Sequence, residues 1–165
     1  MVLRRQGVDV GQGPAEPFRI AGNLYYVGAT DAAAFLITGP KGHIVLDGGY
    51  PSTAPMIMAS IAKLGFSIKD VKVLLNSEPH PDHAGGLGVL QQESGAELWA
   101  SEAIGGHTRG CTSWSFVVHD GDRVLNVVSA CDLGRLATSQ YPEQAADLER
   151  SVRVLRSLPV DIWVT

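Results

Sequence analysis

The order of apolar and polar positions predicts a chain that begins with short strands. Apolar segments at 18–20, 24–27, 34–38 and 43–46 are separated by short groups that contain glycine or proline. Such spacing is typical of antiparallel strands joined by tight turns. The first part of the chain is therefore expected to form an antiparallel sheet.

Helical spacing begins after Thr53. Apolar residues at 56, 57, 61, 64 and 66 recur at helical intervals, with Ser52 or Thr53 available as N-cap and Gly65 near the helix end. A compact apolar strand at 71–75, a short helix at 86–93 and a strand at 97–100 follow. The middle of the chain thus alternates strands and helices.

The last third combines a hairpin with one more helix and strand. Segments 112–118 and 123–128 flank the turn-forming residues 119–122, which predicts a β-hairpin. Apolar residues at 148, 152 and 155 predict a helix over 143–158, which Pro159 ends before a strand at 160–164. Strands, helix, strands and helix in this order indicate an α/β protein with helices outside its sheets.

The length and charge of the chain limit the number of domains and the classes of partner that we expect. The 165 residues fit one domain, 18–165, after a glycine- and proline-rich lead-in at 1–17 that we expect to be flexible. The formal charge is −4, without a long run of like charge, so neither nucleic acid nor a membrane surface is an expected partner. No apolar run approaches the roughly 18 residues of a transmembrane helix. No export signal is recognised, and cellular location and oligomeric state stay open.

The segment 76–86, Asn-Ser-Glu-Pro-His-Pro-Asp-His-Ala-Gly-Gly, directly follows the predicted strand at 71–75. Glu78 and His80 each precede a proline, which favours an extended backbone in which residues i and i+2 face the same way. These two can address one metal ion, while Asp82 and His83 can address a second. The alternative is a solvated polar loop, but four ligand-type residues within six positions favour a metal site.

Three more residues are candidates on weaker grounds. His107 lies in a glycine-rich loop at 105–110, and the chain after Ala100 is long enough to bring it back to the first cluster. Cys111 and Cys131 are either small core side chains or a disulfide, because a hairpin turning at 119–122 would place them almost opposite each other.

Four segments, 20–28, 43–49, 76–86 and 106–114, together resemble the metallo-β-lactamases of class B, third subclass. The resemblance implies an αβ/βα sandwich that holds one or two zinc ions at the sheet edges. It also implies hydrolysis of a small β-lactam-like substrate, in which a metal-bound hydroxide opens the β-lactam amide.

Carried over by position, the resemblance assigns the first zinc to Glu78, His80 and His107. It assigns the second zinc to Asp82 and His83. We expect these two residues to position that ion or to orient the attacking nucleophile, and Asp82 is the candidate catalytic residue.

Two further residues take supporting positions in this resemblance. Asp47 corresponds to an aspartate that supports the site, with an acidic turn residue as the alternative. Asp132 follows the second hairpin strand, where the wider superfamily often presents a metal-bridging carboxylate. The register is uncertain by one residue, so Cys131 competes with it, and a capped strand end is the remaining alternative.

Three departures from the resemblance affect what we expect. Glu78 stands where most relatives have histidine, and its added negative charge should weaken a bound zinc as a Lewis acid. The chain passes almost directly from residue 103 to the loop of His107, so the second half of the sandwich is expected to be incomplete. The sequence also ends before a further histidine that completes the second zinc site in relatives.

These departures keep other functions open. One alternative is a shortened zinc-binding relative with little or no catalytic activity. The other is a hydrolase of a different cyclic ester or amide, such as a lactone.

Overall fold

Two β-sheets packed face to face, with helices on their outer sides, form the described part of the chain. The computed structural model describes residues 13–100, 108–133 and 141–165. This arrangement is the expected α/β sandwich. Of the predicted lead-in, residues 13–17 are described, and Pro14 forms an isolated β-bridge with Ala29.

The first sheet contains six strands in the order β1-β2-β3-β4-β5-β6. Strands β1 to β4 pair antiparallel with one another, which confirms the antiparallel start, whereas β4 pairs parallel with β5, and β5 with β6. The strands are β1 (Phe18–Ala21), β2 (Leu24–Tyr26), β3 (Phe35–Ile37), β4 (His43–Leu46), β5 (Val71–Leu75) and β6 (Glu97–Trp99).

The second sheet has three strands, β7 (Trp114–Asp120), β8 (Arg123–Ser129) and β9 (Ile162–Val164). The predicted hairpin is confirmed, but its turn is shorter than 119–122. Asp120 pairs directly with Arg123, so Gly121 and Asp122 alone connect β7 to β8. Gly121 takes a positive φ of 63°, which glycine adopts without steric cost.

The helices are α1 (Ala54–Lys63), α2 (Pro81–Ala84), α3 (Leu87–Ser94) and α4 (Gln144–Ser157), with a 3₁₀ turn at Ile68–Asp70. Thr53 precedes α1 as expected, but its side chain does not cap the helix. Its hydroxyl donates instead to the Tyr50 carbonyl oxygen at 2.9 Å. Within the described residues, no helix has the length and apolar character needed to cross a membrane.

Apolar side chains form one core on each side of the first sheet. Because neighbouring residues of a strand face opposite sides, Val45 and Leu74 pack towards α1 and α3, whereas Leu46 and Leu75 pack towards the second sheet. A smaller cluster of Val128, Ala130 and Leu155 packs α4 against the second sheet.

The parallel pair β4 and β5 ends at one edge of the first sheet, and this edge positions the candidate site. Asp47 directly follows β4, and residues 76–86, here called the ligand loop, directly follow β5. The amide of Asp47 donates to the Leu75 carbonyl oxygen at 2.9 Å, which joins the two strand ends. The amide of Gly48 donates to the His83 carbonyl oxygen at 2.7 Å and ties the ligand loop to the same edge.

Glycines allow the ligand loop to pack closely on this edge. A Cβ atom on Gly86 would lie 2.2 Å from the carbonyl oxygen of Gly48, closer than a side chain can fit. A Cβ atom on Gly85 would lie 2.6 Å from Cδ of Pro51. The loop therefore lies directly on the backbone at 48–51.

Candidate metal centre

Asp47 lies at the centre of a buried hydrogen-bond network beneath the ligand loop. Its Oδ1 accepts the Ser77 amide at 2.7 Å, and its Oδ2 accepts the Ser77 hydroxyl at 2.6 Å. The same Oδ2 lies 2.9 Å from Nδ1 of His83. Asp47 holds a left-handed backbone with φ of 62°, which is uncommon outside glycine and often marks functional sites.

The contact with Asp47 sets how His83 can bind a cation. An Nδ1–H that donates to the Asp47 carboxylate leaves the Nε2 lone pair free to face the ligand loop. Burial lowers the pKa of His83, but the hydrogen bond to Asp47 and the charges of Asp47, Glu78 and Asp82 outweigh it, so the pKa lies above the usual 6.5. These negative charges favour a cation at this position, either a proton or a metal ion.

Glu78 is almost fully buried, and its two carboxylate oxygens have different surroundings. Oε1 contacts Nδ1 of His80. Oε2 is buried and has no hydrogen-bond partner among the described residues. An unpartnered, buried carboxylate oxygen is costly unless a cation compensates it. The surroundings of Glu78 therefore fit its predicted role as a metal ligand.

Four donor side chains of the ligand loop converge. Nε2 of His83 lies 3.9 Å from Oε1 of Glu78 and 3.6 Å from Oδ2 of Asp82. Donor atoms of Glu78, His80 and Asp82 all lie within 4.8 Å of one another. A tetrahedral zinc ion with bonds of about 2.0–2.2 Å places its ligand atoms about 3.3–3.6 Å apart. Small side-chain shifts would bring the donors to that spacing, so the residues fit a divalent metal ion.

His80 and Asp82 are more exposed than the other donors of the cluster. His80 follows the extended course that its proline neighbour predicted, with ψ of 150°. Its side chain is 40% exposed and that of Asp82 39%, against 2% for Glu78. The cluster therefore has a buried side and a side open to solvent, where a substrate can approach.

A cavity of about 490 Å³ opens beside Asp82 and His83. Its wall includes Asp31 from the turn after β2 and Trp163 from β9, so both sheets contribute to it. The full lining is Asp31, Ala32, Ala33, Asp82, His83, Ala130, Cys131, Asp132, Leu133, Trp163 and Thr165.

The structure brings some of the remaining candidates to the cavity but not into the donor cluster. Asp132 lines the cavity, yet its carboxylate belongs to neither group of mutually close donor atoms found among the described residues. Its competitor Cys131 forms a disulfide with Cys111, with Cα atoms 5.7 Å apart. His107 lies outside the described residues, and its approach to the cluster remains a prediction.

The second sheet contacts the ligand loop through hydrogen bonds to its backbone. The amide of Thr112 donates to the Ser77 carbonyl oxygen at 2.6 Å. The indole Nε1 of Trp114 donates to the Asn76 carbonyl oxygen at 3.2 Å. The beginning of the ligand loop is therefore held by both sheets.

Sequence reasoning missed Ser77, Asp31 and Trp163. Ser77 bridges Asp47 and His83, since its hydroxyl lies 3.0 Å from Nδ1 of His83. A signal for Ser77 existed, because Asp47 and Ser77 follow strands that are both apolar and the ends of adjacent parallel strands meet. No local pattern distinguishes Asp31 or Trp163.

Comparisons with known proteins agree with this geometry. Residues 27–162 match the model of the metallo-beta-lactamase superfamily. The solved structure of the Rm3 metallo-beta-lactamase is similar, with 35% identity and a TM-score of 0.85 over 93% of this chain and 78% of that one. FEZ-1 metallo-beta-lactamase from Legionella gormanii has 30% identity and a TM-score of 0.83, over 92% of this chain and 80% of its own.

A third similar structure belongs to a protein described as the first B3 metallo-beta-lactamase with an active site glutamic acid. It has 28% identity and a TM-score of 0.85, over 93% of this chain and 79% of its own. The present chain is therefore shorter than these relatives, as the incomplete second half of the sandwich led us to expect.

Proposed function

The chain belongs to the metallo-β-lactamase superfamily and is a metal-dependent hydrolase, and we propose that its metal is zinc and its substrate a β-lactam. The observation that carries this proposal is the convergence of Glu78, His80, Asp82 and His83, with a buried Glu78 oxygen that has no hydrogen-bond partner among the described residues. Imidazole and carboxylate donors are common zinc ligands.

We assign Glu78 and His80 to one zinc ion, together with His107. Two histidines and one glutamate form a known catalytic zinc set that leaves a fourth position open. When bound there, zinc supplies a Lewis acid that polarises a carbonyl group and lowers the pKa of water. Asp82 and His83 are assigned to a second ion, and Asp132, which lines the same cavity, remains a candidate ligand.

The side chains of the cavity support a role in hydrolysis. We assign Asp82 to hold the attacking water through its carboxylate, because that carboxylate is partly exposed at the cavity. Hydrolysis adds the water oxygen to the amide carbon and a proton to the amide nitrogen as the C–N bond breaks. In this proposal Asp82 orients the water for the first step.

The acidic and apolar side chains of the cavity suit a small anionic substrate only when a metal ion is bound. Asp31, Asp82 and Asp132 all line the cavity, so the protein alone would repel the carboxylate that β-lactam antibiotics carry. A divalent ion offsets this repulsion. Trp163 is 48% exposed, and its indole provides an apolar surface for the ring system of the substrate.

The direct test combines zinc analysis with hydrolysis of a chromogenic β-lactam. We expect bound zinc, loss of hydrolysis after chelation, and recovery when zinc is restored. Zinc binding without turnover would contradict the substrate assignment and favour a non-catalytic relative, while lactone turnover alone would favour a lactonase.

The effect of Glu78 can be measured in the same assay. We expect Glu78→His to raise kcat, because removing one negative charge strengthens zinc as a Lewis acid. Glu93→Gln, which also removes one charge but at an exposed position on α3, serves as the control and should leave kcat unchanged. A zinc-loaded Glu78→His variant with unchanged kcat would show that ligand charge does not limit the reaction. The shortened second half would then be the feature to test.

A further inference from the structure

The Cys111–Cys131 disulfide lies against the buried side of the ligand loop. Thr112, next to Cys111, donates its amide to the Ser77 carbonyl oxygen, one residue before Glu78. Both cysteines are almost fully buried, at 2% and 4% exposure. One carboxylate oxygen of Glu78 and the two sulfur atoms lie within 4.8 Å of one another.

A second observation at the same place points to a cation ligand. Glu78 is 2% exposed, and its Oε2 has no hydrogen-bond partner among the described residues. Its Oε1 is already engaged by His80. Glu78 thus belongs to two groups of donors, the histidine and aspartate of the ligand loop on one side and the two sulfurs on the other. A carboxylate with two oxygens can serve both groups.

We propose that Cys111 and Cys131, once reduced, form with Glu78 a separate site for a thiophilic divalent ion such as zinc or cadmium. Two thiolates and a carboxylate are a donor set that such ions prefer. The site goes beyond the proposed hydrolysis, since binding there requires no turnover of a β-lactam.

The site forms after a phosphine reduces the disulfide, in a reaction that consumes one water molecule. The phosphorus atom takes the oxygen of one water molecule and becomes a phosphine oxide, and the two electrons it loses break the S–S bond. The two protons of that water convert the sulfurs to thiols. Each thiol then releases its proton to solvent when the ion binds.

The geometry around the sulfurs permits this change. A tetrahedral ion bound by two thiolates and a carboxylate places these atoms about 3.6–3.8 Å apart. Rotation about the Cα–Cβ bonds can separate the sulfurs by that amount while the Cα atoms stay near their present 5.7 Å. The carbonyl oxygen of Asp132 lies 3.7 Å from one sulfur and 3.5 Å from the other, where it can accept a hydrogen bond from a metal-free thiol.

Two cavities give reagents and ions a route to the disulfide. Cys131 lines the cavity beside Asp82 and His83. Both cysteines line a second cavity of about 340 Å³ between the hairpin and α4, with Trp114 and Leu155 among its other walls. Reduction of this pair would therefore change which donor atoms are available around Glu78.

The test uses cadmium ions and the full chain before and after phosphine treatment. After removal of phosphine without oxygen, we expect the reduced protein to bind one more cadmium ion per chain than the oxidised protein. That ion should produce the ultraviolet thiolate-to-cadmium charge-transfer band and raise the Tm of the reduced protein. The oxidised protein should show no such band. The double variant Cys111→Ser and Cys131→Ser should also lack it.

A second variant tests the role of the glutamate. We expect Glu78→Gln to weaken the cadmium affinity read from the charge-transfer band at least about tenfold, with Glu93→Gln as the matched exposed control. Because the band reports sulfur ligation, it separates this site from the ligand-loop site and from β-lactam hydrolysis. Absence of the band in reduced protein, or equal affinity in the Glu78 variant, would overturn the proposal. So would a reduced chain that stays unfolded when cadmium is added.

Discussion

The two sheets contribute to the candidate site in different ways. The first sheet and the ligand loop supply the donors and the buried network of Asp47, Ser77 and His83. The second sheet and the residues after β8 supply walls of the cavity, including Asp132 and Trp163. We therefore expect the network beneath the ligand loop to affect mainly the metal affinity of that loop, and the second sheet to affect mainly access to the cavity.

The same contrast appears in the packing that supports each part. Among the described residues, twelve buried apolar residues form the core between the first sheet and its helices, whereas three form the cluster beneath α4. Loss of a side chain should therefore disturb the first core more than the second cluster.

The largest effect is expected from truncation of that first core. Leu74 lies fully buried in β5, directly before the ligand loop, and Leu74→Ala should lower the free energy of unfolding by about 3–4 kcal/mol. Leu155→Ala on α4 should cost about 2 kcal/mol, since fewer buried neighbours lose contacts there. Urea unfolding of both variants gives the comparison. Equal losses would mean that the first core and the cluster beneath α4 support the fold alike.

A smaller effect is expected from the network beneath the ligand loop. Asp47→Asn keeps the shape and tolerates the left-handed backbone, but it removes the charge that orients His83. We expect about a 10- to 100-fold loss of zinc affinity, measured by competition with a chelating dye. Asp161→Asn is the matched control, because Asp161 is exposed and accepts hydrogen bonds from Asn126 in the second sheet. Similar affinities in the two variants would contradict the division between the sheets.

The smallest effect is a pH dependence of the metal-free protein. The pKa of His83 is raised in the folded state, so its contribution to stability is complete below the unfolded value near 6.5 and is lost as pH rises through the folded value. Chelator-treated protein should therefore lose stability over this interval. His83→Gln should show a flatter profile. Denaturant midpoints of both proteins, measured from about pH 6 to about pH 9, test this. Equal pH dependence in the two proteins would mean that groups other than His83 cause the loss of stability.

Much of the fold was predictable because its signals are local. Apolar runs bounded by turn residues gave the strands and their antiparallel start, and β5 was predicted at its observed bounds. The proline neighbours of Glu78 and His80 correctly indicated that these two side chains lie on the same side of the chain, as their contact shows. In each case the residues that cause the structure are adjacent in sequence.

The parts that escaped prediction depend on contacts between distant segments. Thr53 is a good capping residue, but its hydroxyl donates to Tyr50 instead. The positive φ of Asp47 accompanies its bonds to Ser77 and His83, thirty or more positions away. The sequence left Cys111 and Cys131 either as small core side chains or as a disulfide. The disulfide depends on which residues of the hairpin lie opposite each other, and the observed turn is shorter than the predicted one.

The close contact of Gly86 with Gly48 limits how this protein can be engineered. Randomising either position would fill a library with variants whose loop is lifted off the sheet edge, whatever side chain is introduced. Mutagenesis aimed at new metal or substrate preferences will give more usable variants if it leaves this glycine pair unchanged and varies the exposed rim instead.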